Sequence, residues 1–428
     1  MSTLKVNKLR DTAGSADAIV LDPNGGAVLA GVTTVTSVKV GAAVTISESG
    51  IEASGIGITC ANINGAQIGG RRNLIINGAM NIAQRGTSST SVGYQTVDRI
   101  TTAYAGTDES PTFTQHTLTS SDTGPYEEGF RNSFHIQNGD QSSGAGAADE
   151  ISMTYNVEAQ DLERSGWNYA SASSFITISF WVKSSVSQTF QTNMRLYGPS
   201  NANQRELCFA YSASSTWTKV VKKIQGNTSN TLRSDNALGM FIQFAQFYGT
   251  NYTANSRNQD VWEAKNNNQN YKDFTTTWYT TNDATWEITG LQLEVGSQAT
   301  PFEHRSSQEE LNLCKRYYQQ YPEGPRADNY ICVPSGTMAC NNTTTAYYCP
   351  TLNPTMRTSP SFSTSGNFRM NGTSSVNNVA VTAIGVYHNG ASTPFQYASV
   401  ASGLTAGQSV VLSVNNDATA YIAYSAEL

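Results

Sequence analysis

No phenylalanine, tyrosine or tryptophan occurs before Tyr94. Aromatic rings fill a core with few residues, and a self-sufficient domain of this length normally uses several. The segment relies on Gly, Ala, Val, Ile and Thr instead. Val38, Val40, Ala42, Val44 and Ile46 alternate with Lys39, Gly41, Ala43, Thr45 and Ser47, which is the period of a strand. Glycines then interrupt the chain at positions 50, 55, 57, 65 and 69. A stretch this poor in bulk cannot bury its own apolar face, so other copies of the chain must complete the core. Three chains around one axis do so and leave no strand edge open. Residues 1–70 are therefore expected to form a thin β stalk within an elongated homotrimer. Asp22-Pro23-Asn24-Gly25-Gly26, a turn signal between apolar runs, places a small hairpin near the start.

From Arg71 onward aromatics recur. Charged residues are only 14% of the chain and hydrophobic ones 38%. Ser, Thr, Asn, Gln and Gly make up the difference, a mixture suited to sheets with polar faces and short turns. The fold class read from this is all-β. In Phe175 to Val182, strand geometry sets Phe175, Thr177, Ser179 and Trp181 on one face and Ile176, Ile178, Phe180 and Val182 on the other. Comparable runs at 217–224, 240–247 and 285–295, the last interrupted near Gly290, indicate a β-sandwich or jelly roll. A second β unit from about residue 330 takes its strands from 379–387, 409–414 and 421–425.

One helix is expected, over residues 306–321. Ser307-Gln308-Glu309-Glu310 is a capping-box pattern, and Leu311, Cys314, Tyr318 and Tyr321 then fall on one stripe. Pro322, Gly324 and Pro325 end it. Such a stripe must pack on a sheet or on its symmetry mates, and the latter packing, which would fasten a trimer, is the preferred expectation.

The net charge of −6 and the scattered Lys and Arg argue against nucleic-acid binding, which needs a clustered basic surface. No apolar run approaches the roughly 20 residues that span a bilayer, and Met1 to Asp11 does not read as a signal peptide. Six cysteines in so long a chain read as free thiols, and no metal or cofactor is expected. The four histidines are far apart in sequence, and no Walker, zincin or dinucleotide motif occurs. Adjacent acids such as Glu127-Glu128 and Asp149-Glu150 point to opposite faces of a strand and do not by themselves make a site. The chain is accordingly read as a non-enzyme.

Two stretches carry a resemblance. Gly70 to Gly86 (GRRNLIINGAMNIAQRG), followed by Tyr94 to Arg99 (YQTVDR), resembles the opening of a domain common in phage tail fibres. Trp286 to Tyr318 (WEITGLQLEVGSQATPFEHRSSQEELNLCKRYY) resembles its closing strand and the helix that follows. The final Ala426-Glu427-Leu428 and the Val- and Gly-rich stalk are similar to those of marine-phage fibres. The resemblance implies a carbohydrate-binding-module-like jelly roll over 71–305, between the stalk at 1–70 and a β tip at 322–428. It also implies a virion protein made in the host cytoplasm and acting outside the cell. The N-terminus would dock on a tail, baseplate or adaptor protein, and a host-surface glycan or receptor would be the target. Asp98-Arg99 reads as a buried structural pair. The rival readings are a polysaccharide-cleaving tailspike and a decoration with no receptor role.

Glycan recognition uses aromatic faces with Asn, Gln and Asp around them. Two clusters qualify. Trp262, Tyr271, Trp278 and Tyr279, with Tyr252, sit in the Asn-rich part of the middle domain. Tyr347, Tyr348, Tyr387, His388, Asn389 and Phe395 lie in the C-terminal unit and are the expected receptor contacts.

Overall fold

The computed structural model describes residues 72–323, 330–333, 336–372 and 376–428, together with the backbone of six short strands between residues 8 and 53. The chain divides into two compact units, Met1–Ala61 and Asn62–Leu428.

The first unit holds two antiparallel three-stranded meanders. One consists of β1 (Lys8–Arg10), β2 (Asp17–Leu21) and β3 (Ala27–Leu29), the other of β4 (Ser37–Val40), β5 (Val44–Ser47) and β6 (Gly50–Ala53). The turn signal at 22–26 lies between β2 and β3, which pair as a hairpin. The alternating run at 38–46 is not one strand. It folds back on itself, with Val38 opposite Ile46 and Val40 opposite Val44.

The second unit opens with a sandwich. Its strands are β7 (Ser88–Ser89), β8 (Ile100–Ala105), β9 (Thr112–Thr117), β10 (Asn132–Gln137), β11 (Glu150–Glu158), β12 (Phe175–Ser184), β13 (Gln188–Leu196), β14 (Arg205–Ala213), β15 (Thr218–Gln225), β16 (Leu238–Tyr248), β17 (Glu263–Ala264) and β18 (Thr285–Val295). They form two six-stranded sheets, in the orders β15-β12-β18-β10-β9-β7 and β17-β14-β13-β16-β11-β8. Ile176, Ile178, Phe180 and Val182 of one sheet meet Phe190, Met194, Phe209 and Phe244 of the other in one apolar core. Phe175 and Trp181 lie on the opposite face of β12 and are only partly covered. At Gly290 the pairing of β18 with β12 shifts register, and φ there is 63°. A Cβ at this glycine would stand 2.7 Å from the ring of Phe130. The bulge therefore needs glycine for both reasons.

Helix α1 is one short turn, Ala159–Glu163, and α2 is Ser307–Lys315. The sequence expectation for α2 fails in two respects. Ser306, not Ser307, is the N-cap, with its side chain accepting from the Glu309 N–H. Glu310 instead turns inward and accepts from the Asn77 N–H at 2.5 Å. The helix also stops at Lys315, because Arg316 and Tyr317 both bind the Glu158 carboxylate (2.7 Å each) and pull the chain off the axis. Tyr318 and Tyr321 consequently belong to a strand, β19 (Tyr318–Tyr321). Cys314 is buried within its own chain beside Ile76 and Tyr317, and Leu311 is partly exposed. The stripe of Leu311, Cys314, Tyr318 and Tyr321 is thus not a helix face. No described helix is long and apolar enough to cross a membrane.

Beyond α2 the strands are β20 (Met338–Cys340), β21 (Thr345–Tyr348), β22 (Ser361–Ser365), β23 (Phe368–Gly372), β24 (Val379–His388), β25 (Phe395–Val400), β26 (Ser409–Val414) and β27 (Tyr421–Ser425). A closed barrel runs β20-β21-β25-β24-β23-β26, and a three-stranded sheet, β19-β27-β22, stands at its base. Tyr321 lies opposite Ile422, so the chain enters and leaves this region on neighbouring strands. Met338, Phe368, Met370, Leu412 and Val414 fill the barrel.

The stretches that carry the fibre resemblance converge on one buried junction. Asn73 accepts from Leu293 N–H (3.0 Å) and donates to Leu291 O (3.2 Å). Gly78 lies so close that a Cβ there would sit 2.0 Å from Leu291 O. Asn77 donates to Asp98 O (3.0 Å), and the Gln84 N–H to Asp98 Oδ1 (2.9 Å). Arg99 and Arg85 both bind Glu427, the latter at 3.2 Å, and their guanidiniums lie 3.5 Å from the rings of Tyr317 and Tyr318 respectively. Arg357 donates to the carbonyls of Ala426 (2.8 Å) and Glu427 (2.9 Å). Asp98 and Arg99 are both buried but do not pair with each other: Asp98 serves Gln84, and Arg99 serves Glu427. Burial pushes the Asp98 carboxyl up to about 6. Burial works against the Arg99 cation too, yet Glu427 and the surrounding tyrosines raise its pKa well above the usual arginine value.

Candidate functional site

The middle-domain aromatics are not a binding surface. Trp262, Trp278 and Tyr279 belong to the sandwich core. Their polar tips are satisfied there: Trp262 Nε1 donates to Gln225 O (2.8 Å), Trp278 Nε1 to Thr285 O (3.0 Å) and the Tyr279 hydroxyl to Asp149 (2.9 Å). Tyr271 is fully buried under the Asn-rich loop, where its hydroxyl donates to Gln243 (2.7 Å). That loop is clasped against the outer face of its sheet by Gln191, which donates to Lys272 O (2.9 Å) and accepts from Lys272 N–H (3.0 Å). Asn193 adds a bond to Asn270 O (2.9 Å). Sequence alone shows aromatics among asparagines; it does not show that the loop folds its rings inward.

The C-terminal candidates behave differently. β25 lies between β21 and β24, with Tyr397 opposite Tyr347 on one side and Gly385 on the other. Phe395, Tyr397 and Tyr347 point out of the barrel, whereas Gln396, Ala398 and Tyr348 point in. Tyr387, two residues beyond Gly385, lies on the same outer face and is half exposed, and a bulge between Val386 and His388 sets His388 opposite Phe395. Four rings gather there. Tyr387 stands 5.5 Å from Tyr347, 5.5 Å from Phe395 and 4.8 Å from Tyr397 between centroids, and Tyr347 stands 5.4 Å from Phe395. His388 lies nearly parallel to Phe395 at 6.4 Å.

Gly385 makes the arrangement possible. A Cβ there would stand 2.5 Å from the Tyr397 hydroxyl and 2.6 Å from the ring carbon bearing it, so only glycine lets this ring lie across the strand. At the rim Asn341 donates to the Tyr347 hydroxyl (3.3 Å), and Asn389 is exposed where β24 ends. Asn342 Oδ1 holds the turn before β21 by accepting from the N–H groups of Thr344 and Thr345, both at 2.8 Å. Of the six expected contacts, Tyr347, Tyr387, His388 and Phe395 are brought together, with Asn389 beside them. Tyr348 turns inward and is buried. Tyr397 was missed, although its strand alternation with Phe395 was available to place it. Aromatic faces ringed by amides can stack on the C–H face of a pyranose and bond its hydroxyls.

A second cluster was not legible in sequence. His116 on β9 and His135 on β10 come within 5.5 Å between ring centroids, since Ser133 pairs with His116 and Thr114 with His135. Glu287 of β18 accepts from Ser133 (2.8 Å) and contacts His116 Nδ1 (3.0 Å) and Lys183 Nζ (3.2 Å). Burial opposes the Glu287 charge, but His116 and Lys183 hold its pKa below the ordinary glutamate value. Burial lowers that of His135. The arrangement is a compensated charge network on the outer face of the sheet.

No protein-family model matches the chain, and neither does any curated protein sequence. Solved structures similar to part of it include the enzymatically active domain of a bacteriophage CBA120 tailspike, at 9% identity and a TM-score of 0.27, covering 52% of this chain and 21% of that one. Others are a family 11 carbohydrate-binding module of a Clostridium thermocellum cellulase (11%, TM-score 0.25, 51% and 98%) and a cellulose-binding domain of a Cellulomonas fimi glucanase (12%, TM-score 0.25, 51% and 99%). At TM-scores this low neither fold nor ligand is carried over to this chain.

Proposed function

We propose that this chain is a subunit of a bacteriophage tail fibre and that the outer face around Tyr387 binds a saccharide on the host surface. The observation that carries the reading is the ring cluster of Tyr347, Tyr387, Phe395 and Tyr397. The sandwich candidates Trp262, Tyr271, Trp278 and Tyr279 are buried, whereas Tyr387 is 50% exposed. A cluster of partly open rings, tilted to one another and set among Asn side chains, suits a weak, stacking contact between one of them and a sugar ring. Weak contacts suffice when several are tethered together, because the second binds at a high effective concentration. The fibre would accordingly be a homotrimer, attached to the virion through its N-terminal unit, adhering to cells without cleaving its ligand.

The test is the full-length protein on an array of bacterial surface glycans, beside Tyr387→Ala and Tyr397→Ala. Each substitution should lower the array signal about tenfold, the equivalent of about 1.4 kcal/mol for one lost stacking contact. Full signal in both would place the binding face elsewhere. Light scattering on the same preparation should give a mass of three chains; a monomer would refute the fibre.

A further inference from the structure

We infer that the sandwich carries a second, independent ligand groove, on the outer face of β15 and β12, that takes an acidic saccharide. A cleft of about 450 Å3 lies there between β15 and the segment 299–304, within the size range of small-ligand sites. Lys219 and Val221 form one wall; Thr300, Pro301, Phe302 and His304 form the other. Val221 is 51% exposed at its centre, an apolar surface left open in a strand that otherwise shows charge to solvent.

Cations stand on both sides of the cleft, although Glu128 also lines it and the whole chain carries −6. Lys219 rests over the ring of Trp181 at 5.6 Å, and Lys223, on the same face of β15, rests over Phe175 at 4.8 Å. The two lysines are four residues apart on one strand, about 13 Å by ordinary strand rise. On the opposite wall Arg72 donates to Thr300 Oγ1 (2.7 Å). Lys219 is held by Glu128 at 2.9 Å, with both side chains about one-third exposed. Glu128 also accepts from Trp181 Nε1 (3.0 Å). An ion pair this open contributes little, so a ligand carboxylate can take over Lys219 while Glu128 keeps the Trp181 bond. The Glu128 carboxylate can then also accept from sugar hydroxyls.

These features fit a short run of uronic acids. The pyranose faces would lie on Val221 and Pro301, one carboxylate would meet Lys219, and another would reach Lys223. The groove shares no residue with the Tyr387 face and does not depend on it.

The experiment is calorimetric titration of the intact protein with a galacturonic acid oligomer and, separately, a neutral gluco-oligomer of equal length. The variants are Lys219→Glu/Lys223→Glu and Tyr387→Ala. Both lysines are exposed on an edge strand, so the double variant should keep the parent's thermal unfolding curve. The acidic oligomer should bind the parent and Tyr387→Ala alike and lose at least about tenfold in the double variant. Its binding should also weaken steeply toward 1 M salt, where the screening length is about 3 Å. The inference is overturned if the parent does not bind the acidic oligomer, or if the double variant binds it as tightly as the parent.

Discussion

Glu427→Ala should be among the most damaging single substitutions in the second unit. The Glu427 side chain is 6% exposed and its partner Arg99 is 1% exposed. Glu427 also binds Arg85 at 3.2 Å, so one carboxylate neutralises two cations. Truncation leaves the Arg99 guanidinium buried with Asn156 O (2.7 Å) and the rings of Tyr317 and Tyr155 as partners, none of them an anion, its Nε already having no hydrogen bond. Removing one member of a buried ion pair typically costs about 3–5 kcal/mol, because the other charge stays behind. Denaturant unfolding of Glu427→Ala, followed by tryptophan fluorescence, should show a loss of that size. Arg99→Met/Glu427→Leu should recover the part due to the buried Arg99 charge, leaving only the loss of the contact to Arg85, whose side chain is 11% exposed and 3.9 Å from Asp98. A loss below about 1 kcal/mol for the single variant, the range of exposed pairs, would refute the view that this carboxylate holds the junction together.

Asp98 gives a pH signature. Its folded pKa of about 6 lies above the ordinary 3.8, so its contribution to stability is fully present below about pH 4 and is lost as pH rises through 6. The span is roughly 3 kcal/mol for about two pKa units. Relative to Asp98→Asn, the parent should therefore lose stability between pH 4 and 7; parallel curves would count against it. Gln191→Ala should cost about 1–3 kcal/mol, because both Lys272 backbone groups lose their partner, and limited proteolysis should cut first within 250–274. Gly385→Val should displace Tyr397 and abolish array binding while leaving the far-UV spectrum unchanged; retained binding would show that Tyr397 takes no part.

Composition made the all-β class readable, and strand period most of the larger strands. In β12 the alternation separated Ile176, Ile178, Phe180 and Val182 from the opposite face without saying which of the two is buried, and β18 was found with its interruption at Gly290, because period and glycine are local signals. α2 was misread for a non-local reason. Its stripe of Leu311, Cys314, Tyr318 and Tyr321 fits a helix, but Glu158, more than 150 residues earlier, binds Arg316 and Tyr317 and ends it. The Tyr271 and Trp278 candidates failed similarly: an aromatic in an Asn-rich run looks open until Gln191 and Asn193 of another strand clasp the run down. Tyr347, Tyr387 and Phe395 were found because each lies near a strand end with polar neighbours, whereas inward-pointing Tyr348 differs from Tyr347 only in the parity of β21.

The adjacency of β19 and β27 has a consequence for how such chains can diversify. Everything from Pro322 to Tyr421 is an excursion between two strands that already hold each other, with Tyr321 opposite Ile422. A different insert between those residues leaves Arg99, Glu427 and the sandwich in place only if it keeps β22, which pairs with β27, and Arg357, which binds the Ala426 and Glu427 carbonyls and reaches Asn236. The barrel strands are thus the exchangeable part of the excursion, while β22 and Arg357 are the fixed frame that any new surface would have to be built on.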